Sequence, residues 1–269
     1  LENAGLFTMG VPREAQLFFS RRIGIGPGGR PIPILAGARL TGRIGEGLDV
    51  GLLNIQTDEI AGVAPSNNFS VARLRRELPN RSALGVMFIN RQATGDFADE
   101  DDYNRNYAVD GRFGIGQNGL ISGFLAKTQT PGLSGDDYAY QIGSSLSLPA
   151  ARFRADYSNV GDNFNPEVGF LSRGGFRKLS ASVFTFLRPS SLPSFQELRP
   201  HIAYTSHWNH EGFQESMHIH MDSHWEWRNG YEIHTGGNVT RQGVVAPFEI
   251  YPGVIVPPGT YTHVEAQPV

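Results

Sequence analysis

The stretch from Ser216 to Gly230 reads SMHIHMDSHWEWRNG, and its alternate residues suit two different solvents. Successive side chains of an extended strand point to opposite sides. His218, His220, Asp222, His224, Glu226 and Arg228 therefore share one face, while Met217, Ile219, Met221, Trp225 and Trp227 share the other, with Ser223 as its polar break. A soluble sandwich strand also has a buried and a wet side, yet it rarely needs this length or an unbroken ionisable row. A transmembrane barrel strand needs both: an outward apolar band ending in interfacial aromatics, and a polar inward row facing a lumen. On that reading Trp225 and Trp227 sit at one membrane boundary.

The remainder of the chain fits such a strand. Its 269 residues, 39% hydrophobic and 18% charged, suffice for one large β domain or two small ones and are too apolar for disorder. A formal charge of −3 gives no case for a nucleic-acid partner. With no Cys, disulfides and thiolate metal sites are excluded. No unbroken apolar run approaches the roughly 18 residues of a spanning helix, so any spanning structure has to be a closed barrel. The sequence starts at Leu1 without an initiator Met or export signal and stops at Val269 inside an alternating segment. Residues 1–269 are thus expected to be a single barrel domain, truncated at both ends, with unpaired sheet edges.

Period-two segments fall at about 15–22, 32–44, 47–57, 68–78, 82–91, 103–115, 119–129, 137–148, 151–160, 176–187, 196–208, 213–228, 231–241 and 261–269. No long amphipathic helix is indicated. Gly45-Glu46-Gly47, Pro79-Asn80-Arg81, Gly116 to Gly119, Pro149-Ala150 and Arg228-Asn229-Gly230 are tight-turn sequences. Longer connections lie near 58–67, 92–102, 130–136, 161–175 and 242–260, and short and long alternate as in outer-membrane barrels. The short turn at Asn209 to Gly212 breaks that rhythm.

The faces agree between strands. Arg152, Arg154, Asp156 and Ser158 oppose Phe153, Ala155 and Tyr157; Glu197, Arg199, His201, Thr205 and His207 oppose Leu198, Ile202, Tyr204 and Trp208. Glu232, His234, Asn238 and Thr240 oppose Tyr231, Ile233 and Val239. Earlier, Arg39, Thr41 and Arg43 oppose Leu40 and Ile44, and Asn104, Asn106, Asp110 and Arg112 oppose Tyr107, Val109, Phe113 and Ile115. The polar sets are assigned to the lumen. The fold class expected is all-β, an antiparallel up-and-down transmembrane β-barrel present as an incomplete fragment.

The segments LFFSRRIG (17–24), PILAGARLTGRIG (33–45), GLLNIQT (51–57), NNFSVARLRREL (67–78), SGFLAKTQTPG (122–132), NFNPEVGFLSRGGFRKL (163–179) and PPGTYTHVEAQ (257–267) together resemble a large bacterial family of outer-membrane β-barrel domains, family 5916 among the domains of unknown function. Members usually follow an amino-terminal module similar to family-9 carbohydrate-binding domains. The resemblance implies an outer-membrane barrel with a sugar connection supplied by that module. It implies no catalytic residues.

Four constellations could carry chemistry. His218 and His220 form an H-x-H pair, Asp222 and His224 extend it, and His201, His207 and His234 lie on adjoining segments. Imidazole and carboxylate suit zinc, nickel or copper, with His218, His220 and His224 as the metal candidates. A hydrogen-bonded polar wall joining them to Glu226 and Glu232 is preferred, because a site needs ligands converging across strands and register is not legible. Asp222 and Glu226, about 13 Å apart along a strand, are too far apart for a glycosidase pair; a charge ladder with Arg199 and Arg228 is expected. Arg39, Arg43, Arg73 and Arg75 could guide anionic solutes or pair with Glu77, Asp110 and Asp156. The loop Asp96 to Asp102 reads as solvated rather than as a calcium site. Phosphate-binding, dinucleotide and nucleophile-elbow motifs are missing from the sequence.

The expected function is non-enzymatic: an outer-membrane channel wall or surface anchor of a Gram-negative bacterium, binding or passing polar solutes, carbohydrate among them, without a cofactor. Its partners would be the bilayer and the barrel-assembly machinery. The alternatives are a barrel-borne hydrolase using the histidine and carboxylate lumen, and a soluble β-rich carbohydrate-binding protein.

Overall fold

A computed structural model describes residues 4–11, 13–99 and 101–268. Its strands are β1 (Gly10–Val11), β2 (Ala15–Gln16), β3 (Ile34–Ile44), β4 (Leu48–Thr57), β5 (Ser66–Leu78), β6 (Ser82–Thr94), β7 (Tyr103–Ile115), β8 (Gly119–Gln129) and β9 (Tyr138–Ser147). Then come β10 (Ala151–Val160), β11 (Phe170–Leu171), β12 (Phe176–Thr185), β13 (Phe195–Trp208), β14 (Gln214–Trp227), β15 (Glu232–Val244), β16 (Phe248–Tyr251), β17 (Val254–Val256) and β18 (Gly259–Pro268). Among the described residues the helical elements are three short 3-10 turns.

Thirteen strands form one sheet in the order β18-β15-β14-β13-β12-β10-β9-β8-β7-β6-β5-β4-β3. Chain neighbours are sheet neighbours, so the topology is up-and-down and antiparallel. β3 and β18 are the edges, and no pairing closes the sheet between them among the described residues. Thirteen of the fourteen expected segments are these strands. The expected strand at 15–22 is instead the two-residue β2 followed by a 3-10 turn at Ser20–Arg22. There Leu17, Phe18 and Phe19 break the alternation, and the Leu17 and Phe19 amides donate to the carbonyls of Met9 and Val168 at 3.0 and 2.9 Å. The expected loop at 242–260 contains the β16–β17 hairpin, turned by Pro252-Gly253 with Gly253 at φ 83°.

The chain divides into two compact units. In the unit of residues 1–114, 122–142 and 159–175, side chains alternate as the pleat requires. On β6 Ala83, Met87 and Ile89 are buried while Leu84, Val86 and Phe88 are exposed. On β7 Asn104, Asn106 and Ala108 are buried while Tyr107 and Val109 are exposed. The inner face is covered by chain rather than water. Leu6, Phe7, Met9, Val11, Ala15, Leu17, Phe164 and Val168 are all buried, and the Leu6 carbonyl accepts from Arg73 Nε at 3.2 Å. Gly51 permits that cover, since a Cβ there would stand 2.8 Å from both Leu6 and Phe7. The expectation of a wet inner face is thereby corrected here: Asn104 is saturated by Thr130 and the Asn165 carbonyl, both at 2.8 Å.

The other unit comprises residues 115–121, 143–158 and 176–269. Here Ile202, Met221, Ile233 and Val264 are exposed. Register aligns Ile202 with Met221, Tyr204 with Ile219, and Ile219 with Val239 and Val264. Phe153 is also exposed, whereas Met217, Trp225, Trp208 and Tyr157 are half-buried.

Candidate functional site

The polar face of β12 to β15 and β18 is built by register. Opposite one another stand Arg199 and His224, His201 and Asp222, Ala203 and His220, and Thr205 and His218. The next pair of strands sets His224 beside His234, Asp222 beside Gly236, His220 beside Asn238 and Glu226 beside Glu232. β18 adds Glu265 opposite Asn238 and His263 opposite Thr240. Alternation decides which residues reach this face, and antiparallel pairing decides which of them meet.

Two clusters result. In the first, Glu232 accepts from His224 Nδ1 at 3.1 Å, lies 3.2 Å from His234 Nε2, and pairs with Arg199. Arg199 also lies 3.6 Å from Glu226, so of the expected ladder of Asp222 and Glu226 with Arg199 and Arg228 the Arg199–Glu226 rung is present, with Glu232 rather than Asp222 as the second acid. Arg228 takes no such part; its Nε donates to the Phe195 carbonyl at 3.5 Å. Glu197 pairs instead with Arg188 at 2.6 Å, a partner outside every marked strand. The rings of His224 and His234 lie 3.8 Å apart.

The second cluster holds His201, His220 and Asp222, whose ligand atoms lie within 4.8 Å of one another. His201 Nδ1 meets the Arg199 carbonyl at 3.1 Å, and His220 Nδ1 meets Asn238 Oδ1 at 2.7 Å. Asp222 Oδ2 is 3.3 Å from His224 Nε2, while its Oδ1 is buried without a hydrogen-bond partner. Gly236 leaves room for this carboxylate, because a Cβ there would lie 3.2 Å from Asp222 Cγ.

The metal candidates His218, His220 and His224 do not converge. His218 is exposed and meets Thr240 Oγ1 at 3.1 Å, since side chains two apart on a strand stand parallel and each turns to its cross-strand neighbour. His207 sits apart against Ser216 Oγ at 3.2 Å. His201, left out of that candidate set, replaces His218 because of register.

In the other unit the basic residues are paired off. Arg73, its side chain 3% exposed, binds Asp110 at 2.6 Å; Arg43 binds Asp49 at 2.7 Å and Glu77 at 3.6 Å, and Arg75 lies 3.9 Å from Glu77. Arg39 lies over the Phe7 ring, 5.4 Å from its centroid. Asp156 pairs with Arg154 at 2.7 Å rather than with this group. A cluster that was not anticipated joins Arg91 to Asp102, Glu167 and Asn67 at 2.5, 2.6 and 2.9 Å. Of the acidic loop, Glu100 lies outside the described residues; among those described, its carboxylates belong to no metal-capable group.

Fold and site define an all-β chain whose large antiparallel up-and-down sheet carries a histidine and carboxylate face. No family model, curated protein or solved structure matches it.

Proposed function

We propose that the chain belongs to the outer-membrane β-barrel of a Gram-negative bacterium, and forms a channel wall or surface anchor that binds or passes polar solutes, carbohydrate among them. The observation that carries this reading is the apolar face of an antiparallel sheet left exposed over successive strands: Leu40, Leu52, Leu74, Val86, Val109 and Leu125 in one unit, Phe153, Ile202, Met221 and Val264 in the other. Soluble domains seldom leave contiguous apolar area of this kind uncovered, whereas lipid demands it. The aromatic group Phe195, Trp225 and Trp227, with the Trp225 and Trp227 ring centroids 6.1 and 4.6 Å from that of Phe195, suits a membrane boundary, and the Trp225 indole donates to Thr235 at 2.8 Å. Barrel closure requires the edges β3 and β18 to be paired. Flotation of the refolded chain with liposomes, resistant to high salt, is the expected outcome. A monodisperse chain in detergent-free buffer that stays at the bottom of the gradient would contradict it.

A further inference from the structure

We propose that His201, His220 and Asp222 form a binding site for a divalent late first-row metal ion, zinc being the reference case, on the polar face of β13 and β14. The proposal does not rest on the bilayer reading.

Three independent features carry it. The first is convergence, two imidazoles and a carboxylate with ligand atoms within 4.8 Å, supplied by facing positions of paired strands. The second is the state of the imidazoles. A carbonyl oxygen only accepts, so the Nδ1 of His201 beside the Arg199 carbonyl carries the proton. Asn238 Nδ2 donates to Glu265, which turns Oδ1 of the same amide toward His220, whose Nδ1 then donates as well. In the neutral ring that arrangement leaves Nε2 of each imidazole as the atom able to ligate an ion, and each ring is oriented by an outer hydrogen bond of the sort that holds metal-binding histidines.

The third feature is the carboxylate. Asp222 has a side chain 10% exposed and an Oδ1 that no hydrogen bond satisfies. A buried anionic oxygen without a partner is costly, and a cation removes that cost. The neighbouring set Asp222, His224 and His234 is less suited, because the Nε2 of His234 already lies against Glu232 at 3.2 Å. Two histidines and one carboxylate leave positions open on the ion for water or a solute. Contraction from within 4.8 Å to the roughly 3.3 Å separating two ligands held about 2.0 Å from a tetrahedral ion needs only side-chain rotation.

The test titrates the full chain, folded in detergent, with zinc sulfate by calorimetry and by competition with a chromophoric chelator. One ion per chain is expected, and H201Q and H220Q should each raise the Kd at least roughly thirtyfold, more than an outer hydrogen bond commonly contributes at the lower end of its range. H218Q, H207Q and H234Q should leave it within about threefold. D222N should abolish binding where circular dichroism shows it folded; if it does not fold, H201Q and H220Q decide the matter. No zinc binding, or binding retained in H201Q and H220Q, would overturn the proposal, as would loss in H234Q with retention in H201Q.

Discussion

Replacing Asp110 by Asn should be among the most damaging single changes of one carboxylate. Arg73 donates from Nη1 and Nη2 to Asp110 Oδ1 and Oδ2 at 2.6 and 3.0 Å, and from Nε to the Leu6 carbonyl at 3.2 Å. The Arg73 side chain is 3% exposed and that of Asp110 29%. Removing one partner of a buried pair costs about 3–5 kcal/mol. Because water reaches Asp110, the cost falls to the bottom of that range or just below it, and about 2–3 kcal/mol is expected for D110N. Replacing both charges together, R73M with D110L, should cost less than D110N, about 1–2 kcal/mol, since no buried charge is left alone and the loss is mainly the Leu6 carbonyl's donor. G85A should resemble D110N: a Cβ at Gly85 would lie 2.6 Å from both Arg73 Nη1 and Asp110 Oδ1, so the two side chains would have to give up their pairing to make way. Urea unfolding in detergent, followed by far-UV circular dichroism, gives the cycle. A D110N protein within about 0.5 kcal/mol of the parent, or a double variant worse than D110N, would refute the argument.

Val86 and Val109 face each other on β6 and β7 and are exposed; V86R or V109R should impair insertion by about 2–4 kcal/mol, read as loss of folded yield in liposomes, whereas a gain in detergent-free solubility with the fold retained would count against lipid contact. E167Q should weaken the tie to Arg91 at 2.6 Å by about 1–2 kcal/mol, with faster amide exchange at residues 163–168 as the local readout. W225F removes the indole hydrogen bond to Thr235 and should cost about 1 kcal/mol in the same urea assay.

Strand positions were legible because alternation is a local property. The tight turns are marked by Gly, Asn or Pro; in Pro79-Asn80-Arg81 the Asn at φ 57° carries that signal, while Arg81 adopts φ 58° without it. The β16–β17 hairpin carries the turn signal Pro252-Gly253, but strands of four and three residues are too short for alternation to mark them. What covers the inner face near Arg73 was not legible. Leu6 and Phe7 reach Gly51 from more than forty positions away in sequence, and nothing local encodes that contact. Alternation places the histidines on one side of their strands, yet the grouping of His201 with His220 and Asp222 depends on register, which a period-two pattern leaves open.

The three tryptophans, Trp208, Trp225 and Trp227, offer the most direct test of the central claim, that the apolar face meets lipid. Each occupies the face opposite the histidines, Trp208 near one end of β13 and the other two at the far end of β14. With the full protein in vesicles, lipids brominated near the headgroup should quench this fluorescence strongly, and aqueous iodide should quench it weakly. Strong iodide quenching with no response to brominated lipid would contradict the account.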